Sequence, residues 1–290
     1  MGGTKIEIIL VDPQKQVLHK KRIPTPRGGP SEYTDICHAV SDLILDTCKQ
    51  IPQSDETTIG IGIPGTINPQ KQVVQNANTT SLSGRPFQKD LEKLLKRPIG
   101  IENDANCFVL AESIQGAGMG YELVFGMILG SGCGGGISIN GRIYQGRHLI
   151  AGEWGHFSID PSGYRCWCGN RGCIETKISG TGTSRHYFEK FGKKVPFEEI
   201  VQRYRNGDAK STTVFSQFID DFGRAVGGLI SIIDPDAIVI GGGLSNIDEL
   251  YELGRERVRR YAFHESVQTP ILKNKLGDSA GVYGAAWIGK

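Results

Sequence analysis

Three glycine-rich turns, each set against a short apolar run, constrain this chain more than any other feature. They are Gly2-Gly3-Thr4, residues 130–136 (Gly-Ser-Gly-Cys-Gly-Gly-Gly) and Gly241-Gly242-Gly243. Glycine lacks a Cβ, so such turns reach positive φ or bring bare backbone N–H groups close to a ligand. The neighbouring apolar runs predict strands over residues 5–11, 123–129 and 237–240. A chain that moves repeatedly between strand and glycine turn suits an α/β fold that holds nucleotide phosphates, with Thr4 and Ser131 as added hydroxyl donors. No turn has the G-x-x-x-x-G-K-[ST] spacing of a P-loop, and no G-x-G-x-x-G follows a strand to open a helix.

The remaining segments fit the same class. Residues 16–22 read as a returning strand, and residues 34–49 as a helix with Ile36, Val40, Leu43 and Ile44 on one face. A strand over 58–63 stops at Pro64-Gly65. A strand over 99–101 stops at Glu102-Asn103-Asp104, and a helix over 104–114 has Asp104 near its N-cap. After the second glycine run come a strand over 137–139, the two-residue hairpin signal Asn140-Gly141, and a partner strand over 142–144. Residues 214–233 and 246–261 read as helices, and 281–287 as a short apolar helix that needs a surface to dock on. Glycine turn, strand, tight turn and strand recur in that order near residue 2 and near residue 130, the sign of a duplicated half. With 290 residues and no disordered linker, two halves meeting across a cleft are expected.

Composition excludes several classes of function. A net charge of +2 gives no nucleic-acid or membrane footprint, and no apolar run is long enough to span a bilayer. The first residues lack the pattern of a signal peptide, so a cytoplasmic setting is expected. In that setting seven cysteines do not read as a disulfide framework. Three of them crowd into Cys166-Trp167-Cys168-Gly169-Asn170-Arg171-Gly172-Cys173, with His156 upstream. Three thiolates and one imidazole make a closed tetrahedral zinc site, which is structural because it leaves no position for water. Glu153, His156 and Glu175 flank this loop. A clamped loop would hold such side chains rigidly toward a ligand covered in hydroxyl groups. At Asp104 a carboxylate is kept ionised by the start of its helix.

These residues together resemble the ROK family within the actin-like sugar kinase superfamily. The matching pieces are Gly2-Gly3-Thr4-Lys5, Gly62-Ile63-Pro64-Gly65, Glu102-Asn103-Asp104-Ala105-Asn106, Gly130-Ser131-Gly132, Glu153-Trp154-Gly155-His156, residues 166–175 and residues 234–243. The resemblance implies a two-domain actin-like α/β fold and an ATP-dependent kinase acting on the 6-hydroxyl of a free hexose. It implies that Asp104 is the base that takes the sugar proton. Gly65, Asn78, Asn103, Glu153, His156 and Glu175 would lie on the sugar. Gly3, Thr4, Lys5, Gly130, Ser131 and Gly132 would approach the phosphates of ATP·Mg²⁺, and Gly241, Gly242 and Gly243 the adenosine. His156, Cys166, Cys168 and Cys173 would be the zinc ligands. A homodimer follows from the same resemblance.

The family carries an aspartate just ahead of Gly-Gly-Thr, separated by one residue; here Met1 fills that intermediate position. A start assigned at an internal methionine is the expectation. Residues 76–80 and 151–156 look most like the fructokinase and mannokinase branch, with glucokinase and N-acetylglucosamine or N-acetylmannosamine kinase as alternatives. A sugar-sensing repressor would need a helix-turn-helix ahead of the first glycine turn, and a catalytically impaired sugar-binding protein would fit the missing aspartate. The expected domains are 1–104 with 278–290, and 105–277.

Overall fold

The structure is a computed structural model that describes residues 1–50, 56–77 and 79–289. The chain forms two compact units, Met1–Ala111 with Ser279–Lys290, and Glu112–Asp278.

In the first unit β1 (Lys5–Val11) and β2 (Val17–Pro24) form an antiparallel hairpin whose register shifts between Leu10 and Val11. Ile6, Ile9 and Leu10 are buried, and Ile6 joins the core of this unit. α1 (Glu32–Cys48) buries Ile36, Val40, Leu43 and Ile44, the face read from its periodicity. β3 (Gly60–Ile63), β4 (Thr66–Ile67), β5 (Val74–Gln75) and α2 (Phe87–Leu95) follow. β6 (Gly100–Asn103) pairs in parallel with β3, then runs directly into α3 (Asp104–Gln115). The core joins Ile36, Val40, Ile61, Ile63, Leu82, Phe87, Leu91 and Ile99.

The second unit is built on a five-stranded sheet. β7 (Leu123–Leu129), β8 (Cys133–Ile139) and β9 (Arg142–Ile143) form an antiparallel meander. α4 (Glu175–Ile178), α5 (Gly180–Phe191), α6 (Phe197–Arg205) and α7 (Ala209–Ile233) come next. β10 (Ala237–Gly241) lies parallel to β7 and, after α8 (Leu253–Tyr261), to β11 (Ile271–Lys273). All of β10 is buried, as expected of a parallel strand with neighbours on both sides. Asn140 and Gly141 have φ of 51° and 69°, the pair of positive values a type I′ hairpin needs. Among the described residues no helix is long and apolar enough to cross a membrane.

Two elements differ from the sequence expectation. The glycine run was expected to form a turn over 130–136, but Gly134, Gly135 and Gly136 lie within β8, opposite Ile128, Met127 and Gly126. A Cβ on Gly135 would stand 2.6 Å from the Phe125 ring and 2.7 Å from the Trp154 ring. Gly135 therefore serves close packing, and the turn proper is confined to residues 130–132. The expected helix over 246–261 is broken into two 3-10 turns, Gly243–Asn246 and Asp248–Leu250, before α8. The break lets Leu250 turn fully into the core, and the Tyr251 hydroxyl donates to the Ser245 carbonyl at 2.8 Å.

The chain ends in α9 (Ala280–Trp287), which returns to the first unit. It docks by backbone. A Cβ on Gly60 would collide with the Ala285 carbonyl, one on Gly100 with the Ile288 carbonyl, and one on Gly284 with the Cys107 carbonyl. This is the docking surface that the short apolar helix requires.

Candidate active site

The strand-to-helix corner at Asn103 and Asp104 divides its polar work unequally. Asn103 Oδ1 accepts the N–H groups of Ala105 at 2.8 Å and Asn106 at 3.3 Å, so Asn103 caps α3. Its Nδ2 donates to the Gly65 carbonyl at 3.2 Å. Gly65 has φ 86°, and a Cβ there would lie 2.8 Å from the Ala77 nitrogen, so the Pro64-Gly65 turn requires glycine. Buried Glu102 braces the corner, accepting the Asn103 N–H at 2.8 Å and the Asn106 amide at 3.0 Å. Asp104 is left exposed, with Oδ1 on the Ala105 N–H at 2.9 Å. Although solvent reaches it, surrounding protein desolvates the carboxyl enough to push it above the usual carboxylate range; hydrogen bonds from backbone N–H groups, that of Ala105 among them, oppose the shift. Asn78 lies outside the described residues.

In the second unit the 3-10 turn Trp154–His156 follows Glu153. Trp154 anchors it, donating to the Gly134 carbonyl at 3.1 Å and packing edge-on to Phe125 at 5.5 Å. The cysteine loop closes as a knuckle, with the Cys166 N–H on the Asn170 carbonyl at 2.8 Å and Gly169 at φ 99°. Cys166 Sγ lies 3.6 Å from His156 Nδ1, and Cys168 Sγ lies 3.6 Å from Cys173 Sγ. All four ligand atoms fall within 4.8 Å of one another. A tetrahedral ion with bonds of about 2.0–2.3 Å separates its ligands by roughly 3.3–3.8 Å; the two 3.6 Å pairs match that spacing, and the donor set is of the chemistry that holds zinc.

Glu175 joins that loop to the glycine turn at 130–132. Its Oε1 accepts from Trp167 Nε1 at 2.8 Å and its Oε2 from the Cys133 N–H at 3.1 Å. A Cβ on Gly132 would come within 2.7 Å of Oε2, so a side chain there would displace the carboxylate.

Residues 130–132 and 241–243 lie together at the ends of the parallel strands β7 and β10. Gly242, at φ 80°, packs on Leu129. The Gly180 N–H, at the start of α5, donates to the Gly130 carbonyl at 2.8 Å. Nothing stands where a Cβ of Gly130 or Gly243 would be, and Ser131 is exposed, so this side of the turns is open. Gly2, Gly3, Thr4 and Lys5 belong to the first unit. There the sequence reading missed Arg27, whose Nε donates to the Gly3 carbonyl at 2.5 Å. Its only sequence signal is a cation following the Pro-Thr-Pro run that begins at Pro24, the last residue of β2.

Comparison with solved structures gives the class. A ROK hexokinase from Thermus thermophilus matches with a TM-score of 0.88 at 30% identity, covering 100% of this chain and 95% of that one. A ROK family glucokinase from Streptomyces griseus, solved with glucose and AMPPNP, matches with a TM-score of 0.80 at 28% identity, covering 100% and 97%. The fold is thus the two-domain actin-like α/β fold of these sugar kinases. The chain belongs to the ROK family, whose profile matches residues 1–290. Among curated relatives, the N-acetyl-D-glucosamine kinases of Pectobacterium atrosepticum and Yersinia pseudotuberculosis are 37% and 38% identical, each over 99% of this chain and 96% of the relative. Sugar phosphorylation is the activity class that accompanies this kinship. These names favour the amino-sugar alternative over the fructokinase and mannokinase reading of residues 76–80 and 151–156.

Proposed function

We propose that the protein is an ATP-dependent kinase that transfers the γ-phosphoryl group to the 6-hydroxyl of N-acetylglucosamine. The observation that carries this reading is kinship over nearly the whole chain with N-acetyl-D-glucosamine kinases. A free hexose is the second reading, favoured by the likeness to the Thermus thermophilus hexokinase.

Asp104 is proposed as the base. It is exposed, it is relieved of capping by Asn103, and its carboxyl is raised toward the range in which a carboxylate accepts a proton effectively. Gly65, Asn78, Asn103, Glu153, His156 and Glu175 are proposed sugar contacts. In His156, Nδ1 faces Cys166 and so Nε2 is available to a hydroxyl. The open turns at Gly130, Ser131 and Gly132 and at Gly241, Gly242 and Gly243, with Gly3, Thr4 and Lys5, are proposed to receive ATP as its magnesium complex. Phosphoryl transfer demands little covalent work from the protein, so these residues act by positioning and by meeting negative charge with N–H donors. His156, Cys166, Cys168 and Cys173 would hold zinc, which supplies cross-linking of the loop and no catalytic step. A homodimer remains the assembly proposed on family grounds.

The test is coupled ADP release with ATP·Mg²⁺ and separate N-acetylglucosamine, N-acetylmannosamine, glucose, mannose and fructose. The highest kcat/KM is expected with N-acetylglucosamine. A preference for an unacetylated hexose would move the assignment to the second reading, and silence on all five would remove the kinase activity.

A further inference from the structure

An exposed tryptophan inside a loop of three cysteines calls for a reason, because an indole left in water forgoes the burial that usually holds it. Trp167 stands between Cys166 and Cys168 at the tip of the knuckle, and it is 62% exposed. Two contacts fix its ring. It meets His156 edge to face, with centroids 4.8 Å apart and planes at 87°. Its Nε1–H donates to Glu175 Oε1 at 2.8 Å, while Oε2 takes the Cys133 N–H at 3.1 Å. A carboxylate with a donor on each oxygen has one orientation. With the Cys133 N–H alone it can rotate about its terminal torsion, which is intrinsically broad.

We propose that Trp167 is a positioning residue for Glu175: its indole N–H fixes the carboxylate plane, so the cysteine loop sets how Glu175 meets the sugar. The proposal rests on the reading of Glu175 as a sugar contact. Cys166 and Cys168 flank Trp167, so whatever holds those two thiols holds the indole, and the His156 edge limits its rotation. Trp167 acts on sugar binding and leaves the phosphoryl-transfer step to other groups.

The experiment uses the full chain purified with zinc supplied. Trp167→Phe keeps an aromatic ring and removes the N–H; Trp167→His restores a ring N–H. Sugar affinity is measured by calorimetry without nucleotide, alongside steady-state constants, zinc content and Tm. For the Phe variant, sugar Kd and KM should both rise about tenfold, the scale of one hydrogen bond to a charged group. Its kcat and its KM for ATP should stay within about twofold, and zinc content and Tm should match wild type. The His variant should recover most of the sugar affinity. A Phe variant that binds sugar as well as wild type overturns the assignment. So does one that loses zinc or melts early, because Trp167 would then merely hold the loop, and so does a His variant no better than Phe. Wild-type protein that binds none of the five sugars would sink the kinase reading and this proposal with it, whereas equal binding by wild type and Phe variant sinks the Trp167 assignment alone.

Discussion

Asn103 caps the helix that Asp104 begins. The Asn103 side chain takes the N–H groups of Ala105 and Asn106, while Asp104, one residue on, accepts the Ala105 N–H at Oδ1 and stays exposed. Aspartate is a common helix cap, so this division of labour marks Asp104 for chemistry where its position alone would not.

Asp104→Asn should therefore fold normally, because the cap is elsewhere, and lose turnover by about 10²–10⁴-fold, the usual contribution of a general base. Calorimetric sugar affinity should stay within a few-fold of wild type. Turnover above a tenth of wild type would remove Asp104 from the role of base.

The raised carboxyl of Asp104 has a consequence for stability with a definite sign. A carboxyl whose folded pKa exceeds its unfolded value leaves the native state least penalised below the unfolded pKa, where both forms are protonated. Stability is lost as pH rises through the unfolded and then the folded value. Asp104→Asn removes that loss, so its Tm should exceed wild type at pH 7 and converge with it near pH 4 or below. A Tm difference that does not change with pH would contradict the shift. For catalysis, kcat/KM of the wild type should fall on acidification at a pH above the ordinary carboxylate range.

Zinc should copurify with the protein at about one ion per chain, the number a single Cys3His set can hold. Cys168→Ser, or chelation, should lower zinc content and Tm together, since the loop loses its cross-link. Wild-type protein isolated without zinc under non-chelating conditions would defeat the metal assignment.

Two glycines make a paired test of packing. A Cβ on Gly135 meets two aromatic rings, so Gly135→Ala should cost about 1–3 kcal/mol, by overpacking. Gly228, inside α7, has nothing within 4 Å of a built Cβ, so Gly228→Ala should gain up to about 1 kcal/mol from helix propensity. Urea titrations read both, and equal effects would refute the packing account.

What the sequence made legible was local. Strands β1, β7 and β10, the Asn140-Gly141 hairpin, the corner at Asp104 and the cysteine knuckle are each written in a few adjacent residues. What it hid depends on partners far along the chain. Gly135, paired with Met127 in β8, must be glycine because Phe125 and Trp154, the latter 19 positions away, leave no room for a Cβ. Leu250 breaks a helical run because the core needs it. Glu112, fully buried, accepts the N–H groups of Ala117 at 2.7 Å, Lys275 at 3.1 Å and Leu276 at 2.9 Å. Nothing in its neighbours announces a carboxylate that organises a segment so distant. Arg27 and Trp167 are of the same kind, since each derives its place from a backbone carbonyl or carboxylate that only folding brings near.

The docking of α9 sets an order of events during synthesis. The first unit is encoded mostly ahead of the second, yet its β3 and β6 glycines stay bare until residues 280–288 arrive to lie on them. The second unit has all its residues by Asp278. Domains tend to fold as they leave the ribosome, so the later-encoded half can finish first. The earlier half waits, with its apolar strands uncovered, for the last helix to emerge. Chaperone demand and sensitivity to premature stop codons should therefore concentrate on the half that carries Asp104.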